Sequence, residues 1–401
     1  MELSNTPVSQ RVHIAFFGCV NAGKSSVVNA FVNQEVSLVS DKMGTTTDAV
    51  KKTMELLPLG PVVVFDTAGF DDESELGKLR IEKTKQILDK TDIAVLVVDS
   101  TKGKTTTDNE LVKIFETKKI PFIIAYNKAD LVNEKKQLQN NEIYVSAKTK
   151  ENVEQLKEKI ANLINKNKKE KLIVADLLNK KDIVILVCPI DESAPKGRLI
   201  LPQQLTLREL LDFHCSTIVV QVEELKDILN KITPKLVITD SQVFGEVSKI
   251  VPKEIALTSF SILFARYKGE LKALVEGAIQ ISKLKENDFV LISEGCTHHR
   301  QCNDIGSVKI PKWLMDYTNK KLNFEFTQGG QFPSDLSKYS LIIHCGACML
   351  NETEMKNRIQ KASNQQIPIV NYGILIAFLK GILNRNLEFF PEIYNEFKNN
   401  L

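Results

Sequence analysis

The sequence predicts an α/β protein of three domains, and three observations carry that reading. Short apolar runs alternate with amphipathic stretches from residue 11 to about residue 165, a polar stretch rich in lysine and asparagine interrupts them at 165–171, and further series of the same kind follow. At 401 residues the chain has room for two or three domains, each with its own core. The expected boundaries are 1–168, 169–267 and 268–401.

In the first series the strand-like runs are 12–17, 62–65, 93–98, 122–126 and 143–145, the pattern of a parallel sheet crossed over by helices. The second series predicts strands at 183–189, 217–221, 235–239 and 254–257, with helices at 207–213, 222–231, 241–250 and 259–267. This small parallel sheet has open edges and no visible catalytic motif, so it is expected to mediate self-association into a homodimer. The third series opens with an amphipathic stretch at 270–284. A strand at 289–292 then runs into Glu294-Gly295-Cys296, and a strand at 339–343 ends at His344-Cys345. No internal repeat or long low-complexity tract is visible.

Composition narrows the function classes. A chain that is 43% hydrophobic and 26% charged is ordinary for a globular protein, and no apolar run approaches the roughly 18 residues of a membrane span. The first ten residues lack a cationic segment followed by an apolar one, so no secretory signal is expected and the cytoplasm is the expected location. A net charge of +3 is too small to argue for nucleic acid. The run Lys166, Lys168, Lys169 and Lys171 reads as a solvated linker. Seven cysteines in a reducing compartment read as thiols or metal ligands rather than a disulfide framework. Cys188 and Cys215 accompany apolar runs and are expected to behave as small hydrophobes, while Cys302 stands alone in a polar loop.

Gly18-Cys19-Val20-Asn21-Ala22-Gly23-Lys24-Ser25 matches the phosphate-binding loop, follows a strand and opens a helix over 25–32. Its glycine-rich turn offers backbone N–H groups to phosphate, Lys24 adds a point charge, and the Ser25 hydroxyl suits Mg²⁺. Asp66-Thr67-Ala68-Gly69, Asn127-Lys128-Ala129-Asp130 and Ser146-Ala147-Lys148 follow, each after a strand. That order resembles the translation-factor-related GTPases over residues 11 to about 165, which implies a P-loop GTPase fold. The resemblance further implies that Asp130 accepts hydrogen bonds from guanine, so that GTP is the nucleotide. Asn21, Ala22, Gly23, Lys24, Ser25, Ser26, Thr46, Asp66, Gly69, Asn127, Lys128, Asp130, Ser146, Ala147 and Lys148 would form the site. Ser25 and Thr46, or its neighbour Thr45, would hold Mg²⁺; Asp66 would reach it through water, and Gly69 would sense the γ-phosphate. No residue is assigned as catalytic. Phe70 stands where Ras-like proteins carry a water-orienting glutamine. An apolar residue there is similar to the potassium-stimulated GTPases of the MnmE type, whose loop asparagine, matching Asn21, helps bind K⁺. The simpler reading is that Asn21 braces the loop.

Cys345-x-x-Cys348 is a common bidentate pair; adding Cys296, His298 and His344 makes a ligand set. Both ligand segments end predicted strands, where open α/β sheets place their ligands. The residues alone fit either Zn²⁺, which would take a histidine as fourth ligand, or an iron–sulfur cluster held by three cysteines with one iron open. His299 reads as a polar loop residue, and His13 and His214 as packed or capping histidines.

A Cys-x-His followed by His-Cys-Gly-x-Cys behind an N-terminal GTPase domain resembles HydF, the scaffold GTPase family of [FeFe]-hydrogenase maturation, along the whole chain. The resemblance implies a dimerising middle domain and a [4Fe–4S] cluster on Cys296, Cys345 and Cys348. The fourth position would fall to His298, to His344 or to an exchangeable group. It also implies a scaffold and carrier that receives a diiron precursor as cargo from radical-SAM maturases and delivers it to apo-hydrogenase. The rival reading is a ribosome or tRNA GTPase with a zinc-stabilised accessory domain. It would call for a Gly-x-x-Gly clamp in a basic segment, which the chain lacks. A nickel-insertion GTPase would call for histidine-rich tracts, and the five histidines are dispersed.

Overall fold

The computed structural model describes residues 7–32, 50–67, 84–167, 171–190, 197, 199–295 and 304–399. Contacts divide the chain into two compact units, Met1–Lys169 and Glu170–Leu401.

Six strands form the sheet of the first unit: β1 (Val12–Phe17), β2 (Val50–Leu56), β3 (Gly60–Asp66), β4 (Ile93–Asp99), β5 (Phe122–Asn127) and β6 (Glu142–Tyr144), in the order β2-β3-β1-β4-β5-β6. Helices cover both faces, so β4 is buried along its whole length and reads as a continuous apolar run. Alternate residues point into two cores. Ile14, Phe16, Val95 and Val97 meet Val27, Phe31 and Ile160 on one face, and Ala15, Phe17, Leu96 and Val98 meet Leu111 and Phe115 on the other. One expectation needs correcting: the sheet is not wholly parallel, because β2 runs antiparallel to β3. This edge strand escaped the pattern because Lys51, Thr53 and Glu55 face outward and leave no apolar run.

The second unit contains two four-stranded parallel sheets. One is built from β7 (Ile183–Val187), β8 (Ser216–Val220), β9 (Leu236–Thr239) and β10 (Ala256–Ser259), in the order β10-β9-β7-β8. The other is built from β11 (Phe289–Glu294), β12 (Asn323–Gln328), β13 (Leu341–His344) and β14 (Ile369–Asn371), in the order β12-β11-β13-β14. Numbered within each sheet, both run 2-1-3-4, so the topology repeats where the sequence shows no repeat. Strands β12 and β14 were not anticipated, the first because it is a half-exposed edge with Glu325 on it, the second because it is three residues long.

One apolar core joins the two sheets, taking Val184, Leu186 and Ile238 from the first and Val290, Ile292 and Ile343 from the second. The helix Phe260–Lys268 runs through it, packing against the helices Leu201–Asp212, Leu271–Ile279, Glu352–Asn364 and Tyr372–Leu379. Among the described residues no helix is long and apolar enough to cross a membrane.

Gly277 lets the helix Leu271–Ile279 lie directly on β14: a Cβ there would come within 2.0 Å of the Ile369 carbonyl oxygen. Backbone cannot yield as a side-chain tip can. Gly277→Ala is therefore expected to destabilise the second unit by at least the ~1–3 kcal/mol typical of overpacking, read as a lower urea midpoint by tryptophan fluorescence, since Trp313, the chain's one tryptophan, belongs to this unit.

Candidate functional site

The phosphate loop leaves β1 through Gly18, whose φ of +141° and absent side chain let it pass Val97; a Cβ would sit 2.2 Å from the Val97 carbonyl oxygen. Gly23, at φ +85°, passes equally close to Asn127, with a hypothetical Cβ 2.3 Å from its Nδ2. Asn127 braces the site: its Nδ2 donates to the Ala22 carbonyl (3.0 Å) and its Oδ1 accepts from the Ala147 amide (3.1 Å). Lys128 Nζ donates to the Asn21 carbonyl (3.1 Å) and to Asp99 Oδ2 (2.6 Å). Residues from three expected motif segments are thereby tied together: 21–23, 127–128 and 147.

Asp130 is set by Ser146, whose Oγ donates to its Oδ1 at 2.6 Å and holds the carboxyl below its usual pKa. An ionised, acceptor-only carboxylate is the partner that guanine N1–H and N2–H groups call for. Lys24 is buried, with Nζ on the carbonyls of Gly18 (3.0 Å) and Cys19 (3.3 Å), while Ser25, Ser26 and Lys148 are exposed. Asp66 Oδ1 is buried and has no hydrogen-bond partner among the described residues, an arrangement that suits a hydrated Mg²⁺. Thr45, Thr46, Gly69 and Phe70 lie outside the described residues.

Asp99 was missed by the sequence reading. Burial acts to raise its pKa, but hydrogen bonds from Lys128 and Thr101 outweigh burial and hold it low. Its place at the C-terminal end of β4 was the available signal.

The second site forms where β11 and β13 end side by side. The Cys345 amide donates to the Ser293 carbonyl (2.9 Å), continuing the ladder one residue past the strand. Cys345 Sγ then accepts from the amides of Gly295 (3.0 Å) and Ala347 (3.4 Å). Burial pushes this thiol's pKa up, and the two amides work against that rise. Ala347 adopts φ +54°, left-handed backbone for a residue with a Cβ, and Gly295 passes the side chain of Leu350 too closely to carry one.

His344 is fully buried, its Nδ1 2.8 Å from the Cys345 carbonyl oxygen and its Nε2 3.0 Å from Arg358 Nη1. Arginine only donates, so Nε2 accepts and Nδ1 carries the proton given to Cys345. Burial, reinforced by Arg358, pulls the pKa down to about 3. In this arrangement neither ring nitrogen presents a free lone pair. Arg358 is anchored in turn on the Gly329 carbonyl and Glu354 Oε1, each at 2.6 Å.

The sequence reading also missed Lys268. Its buried Nζ donates to the carbonyls of Ala347 (2.9 Å), Cys348 (3.3 Å) and Leu350 (3.0 Å), and burial draws its pKa down to about 8. A lysine closing a helix with apolar residues on all sides was the signal. Cys296, His298, His299 and Cys302 lie outside the described residues, and among the described residues no group of three metal-ligating side chains converges. Cys188, Cys215, His13 and His214 have structural surroundings. Cys188 and Cys215 are buried, His13 places its ring nitrogens 3.1 Å from the carbonyls of Lys90 and Val8, and His214 follows a helix at φ +62°.

Residues 13–128 match the 50S ribosome-binding GTPase family, so the first unit is a GTPase domain. Residues 173–269 match the hydrogen maturase F dimerization domain, and residues 272–389 match the hydrogen maturase F tetramerization domain. The chain belongs to the hydrogen maturase F family. The two matches together span more than half of it. Curated relatives include GTPase Der of Kosmotoga olearia, 36% identical over 30% of this chain and 28% of that protein. GTPase Der of a Sulfurihydrogenibium strain is 34% identical over 38% of each. The tRNA modification GTPase MnmE of Chromobacterium violaceum is 34% identical over 38% of this chain and 35% of that protein. The chain thus spans about a third of the length of these relatives.

Removing the hydroxyl that orients Asp130 tests the nucleotide site. Ser146→Ala is expected to weaken GDP about tenfold, the scale of a hydrogen bond to a charged group, measured with a fluorescent guanine nucleotide.

Proposed function

We propose that this hydrogen maturase F GTPase is a cytoplasmic scaffold and carrier for the diiron precursor of the [FeFe]-hydrogenase active site. It would receive that cargo from radical-SAM maturases and deliver it to apo-hydrogenase. Three domains would divide the work: nucleotide binding in 1–168, homodimerisation through 169–267, and cluster binding in 268–401. The observation that carries the reading is the environment of Cys345. A sulfur that accepts two backbone amides at paired strand ends has the hydrogen bonding that suits a metal ligand, and amide bonds to sulfur are a recognised means of tuning iron–sulfur clusters. Gly295, which donates one of them, directly precedes Cys296 in the sequence.

Cys296, Cys345 and Cys348 would hold a [4Fe–4S] cluster. When bound, it would supply an iron with one position left for an exchangeable ligand. The two histidines weighed as fourth ligand stand differently: His344 spends both ring nitrogens on Cys345 and Arg358, which favours His298 or an exchangeable group. On the GTPase side, Asp66, Ser25 and Thr46 would serve Mg²⁺, and the exposed Asn21 would serve K⁺. Ordering of residues around the γ-phosphate would change affinity for partners rather than drive chemistry at the cluster.

Anaerobic purification with iron and sulfide analysis, followed by EPR after reduction, tests the scaffold reading. Stoichiometric zinc without iron would overturn it. Cys345→Ser is expected to abolish cluster binding while GTP hydrolysis stays near wild type, because the cysteine and the nucleotide loop belong to separate units. Hydrolysis is expected to run faster in K⁺ than in Na⁺, and equal rates would remove the role given to Asn21.

A further inference from the structure

Lys268 closes the helix that follows β10, within the region matched to the dimerization domain, and yet its three side-chain hydrogen bonds go to the cysteine loop of the neighbouring sheet. The residue is 4% exposed. Bringing an ammonium group out of water is costly unless its donors are satisfied, and here three carbonyls of one short turn, those of Ala347, Cys348 and Leu350, take that part. The turn needs an anchor: Ala347 holds left-handed backbone, Gly346 has open space about its Cα, and Met349 is 53% exposed. His344, itself held by Arg358, donates to the Cys345 carbonyl. The loop is therefore held by one buried cation directly and by a second through His344.

We propose that Lys268 is a positioning residue for the Cys345–Cys348 ligand pair, fixing the turn before metal arrives and placing a positive charge beside the bound cluster. This rests on the cluster reading above. Through its helix, which packs against four others of the second unit, the lysine ties the geometry of the ligand turn to the module of β7 to β10.

Lys268→Met keeps the length and apolar stem of the side chain and removes its three donors. In the metal-free protein, backbone amides across 345–350 are expected to exchange with deuterium about tenfold faster or more, the factor that one hydrogen bond from a charged donor is worth. In the reconstituted protein, iron and sulfide per chain are expected to fall, and the midpoint potential of the remaining cluster to move negative, because a nearby cation favours the reduced form. GTP hydrolysis and the urea midpoint serve as controls for folding.

Unchanged exchange in the loop would overturn the positioning role whether or not a cluster binds. A wild-type protein without iron would sink the cluster reading instead. Lys268→Gln, able to keep one of the carbonyl contacts, is expected to fall between the two. If neither variant yields folded protein, Lys268 is a general stability residue and the proposal fails.

Discussion

Burial of both faces of a parallel sheet is the constraint on which the rest of this protein depends. Helices above and below leave little room for polar side chains along the inner strands, so β4, β9 and β13 are buried from end to end and apolar up to their last residue. Chemistry is pushed to where the strands stop. The phosphate loop follows β1, Asp66 and Asp99 end β3 and β4, Asn127 ends β5, and His344-Cys345 ends β13.

The two sites solve the same problem with different means. At the nucleotide loop, side chains act as struts between backbone segments: Asn127 spans the turn at Ala22 and the one at Ala147, and Lys128 spans Asn21 and Asp99. At the cysteine turn, buried cations do the bracing, with Lys268 on three carbonyls and Arg358 acting through His344. Lys128 and Lys268 act purely as donors and each reaches backbone carbonyls, whereas Asn127 donates through Nδ2 and accepts through Oδ1.

How much of this could be read from the chain depended on burial. Interior strands such as 93–98 and 122–126 announced themselves as apolar runs because packing on both faces demands it. The edges β2 and β12 did not, since a half-exposed strand carries Lys51, Glu55 or Glu325 at no cost. Among site residues, those within a fixed spacing pattern were legible: Asn21, Lys24, Asp130 and the cysteine pair. Lys268 and Arg358 were not, because a lysine or arginine in a helix ordinarily points to water; Lys268 is turned inward by the cysteine turn of the neighbouring module, and Arg358 by His344 and the Gly329 carbonyl of its own.

The sequence by itself determined the α/β class, the nucleotide motifs and the cysteine segments, because each depends on residues near one another along the chain or on the period of the apolar pattern. Tertiary structure alone decided that one 2-1-3-4 topology is used twice and that the two sheets share a core. It also decided that His344 faces Arg358, and that a lysine of the first sheet's last helix holds the ligand turn of the second. The physical reason is separation: Lys268 and Ala347 are 79 residues apart, and no local propensity or spacing rule encodes a hydrogen bond across that distance.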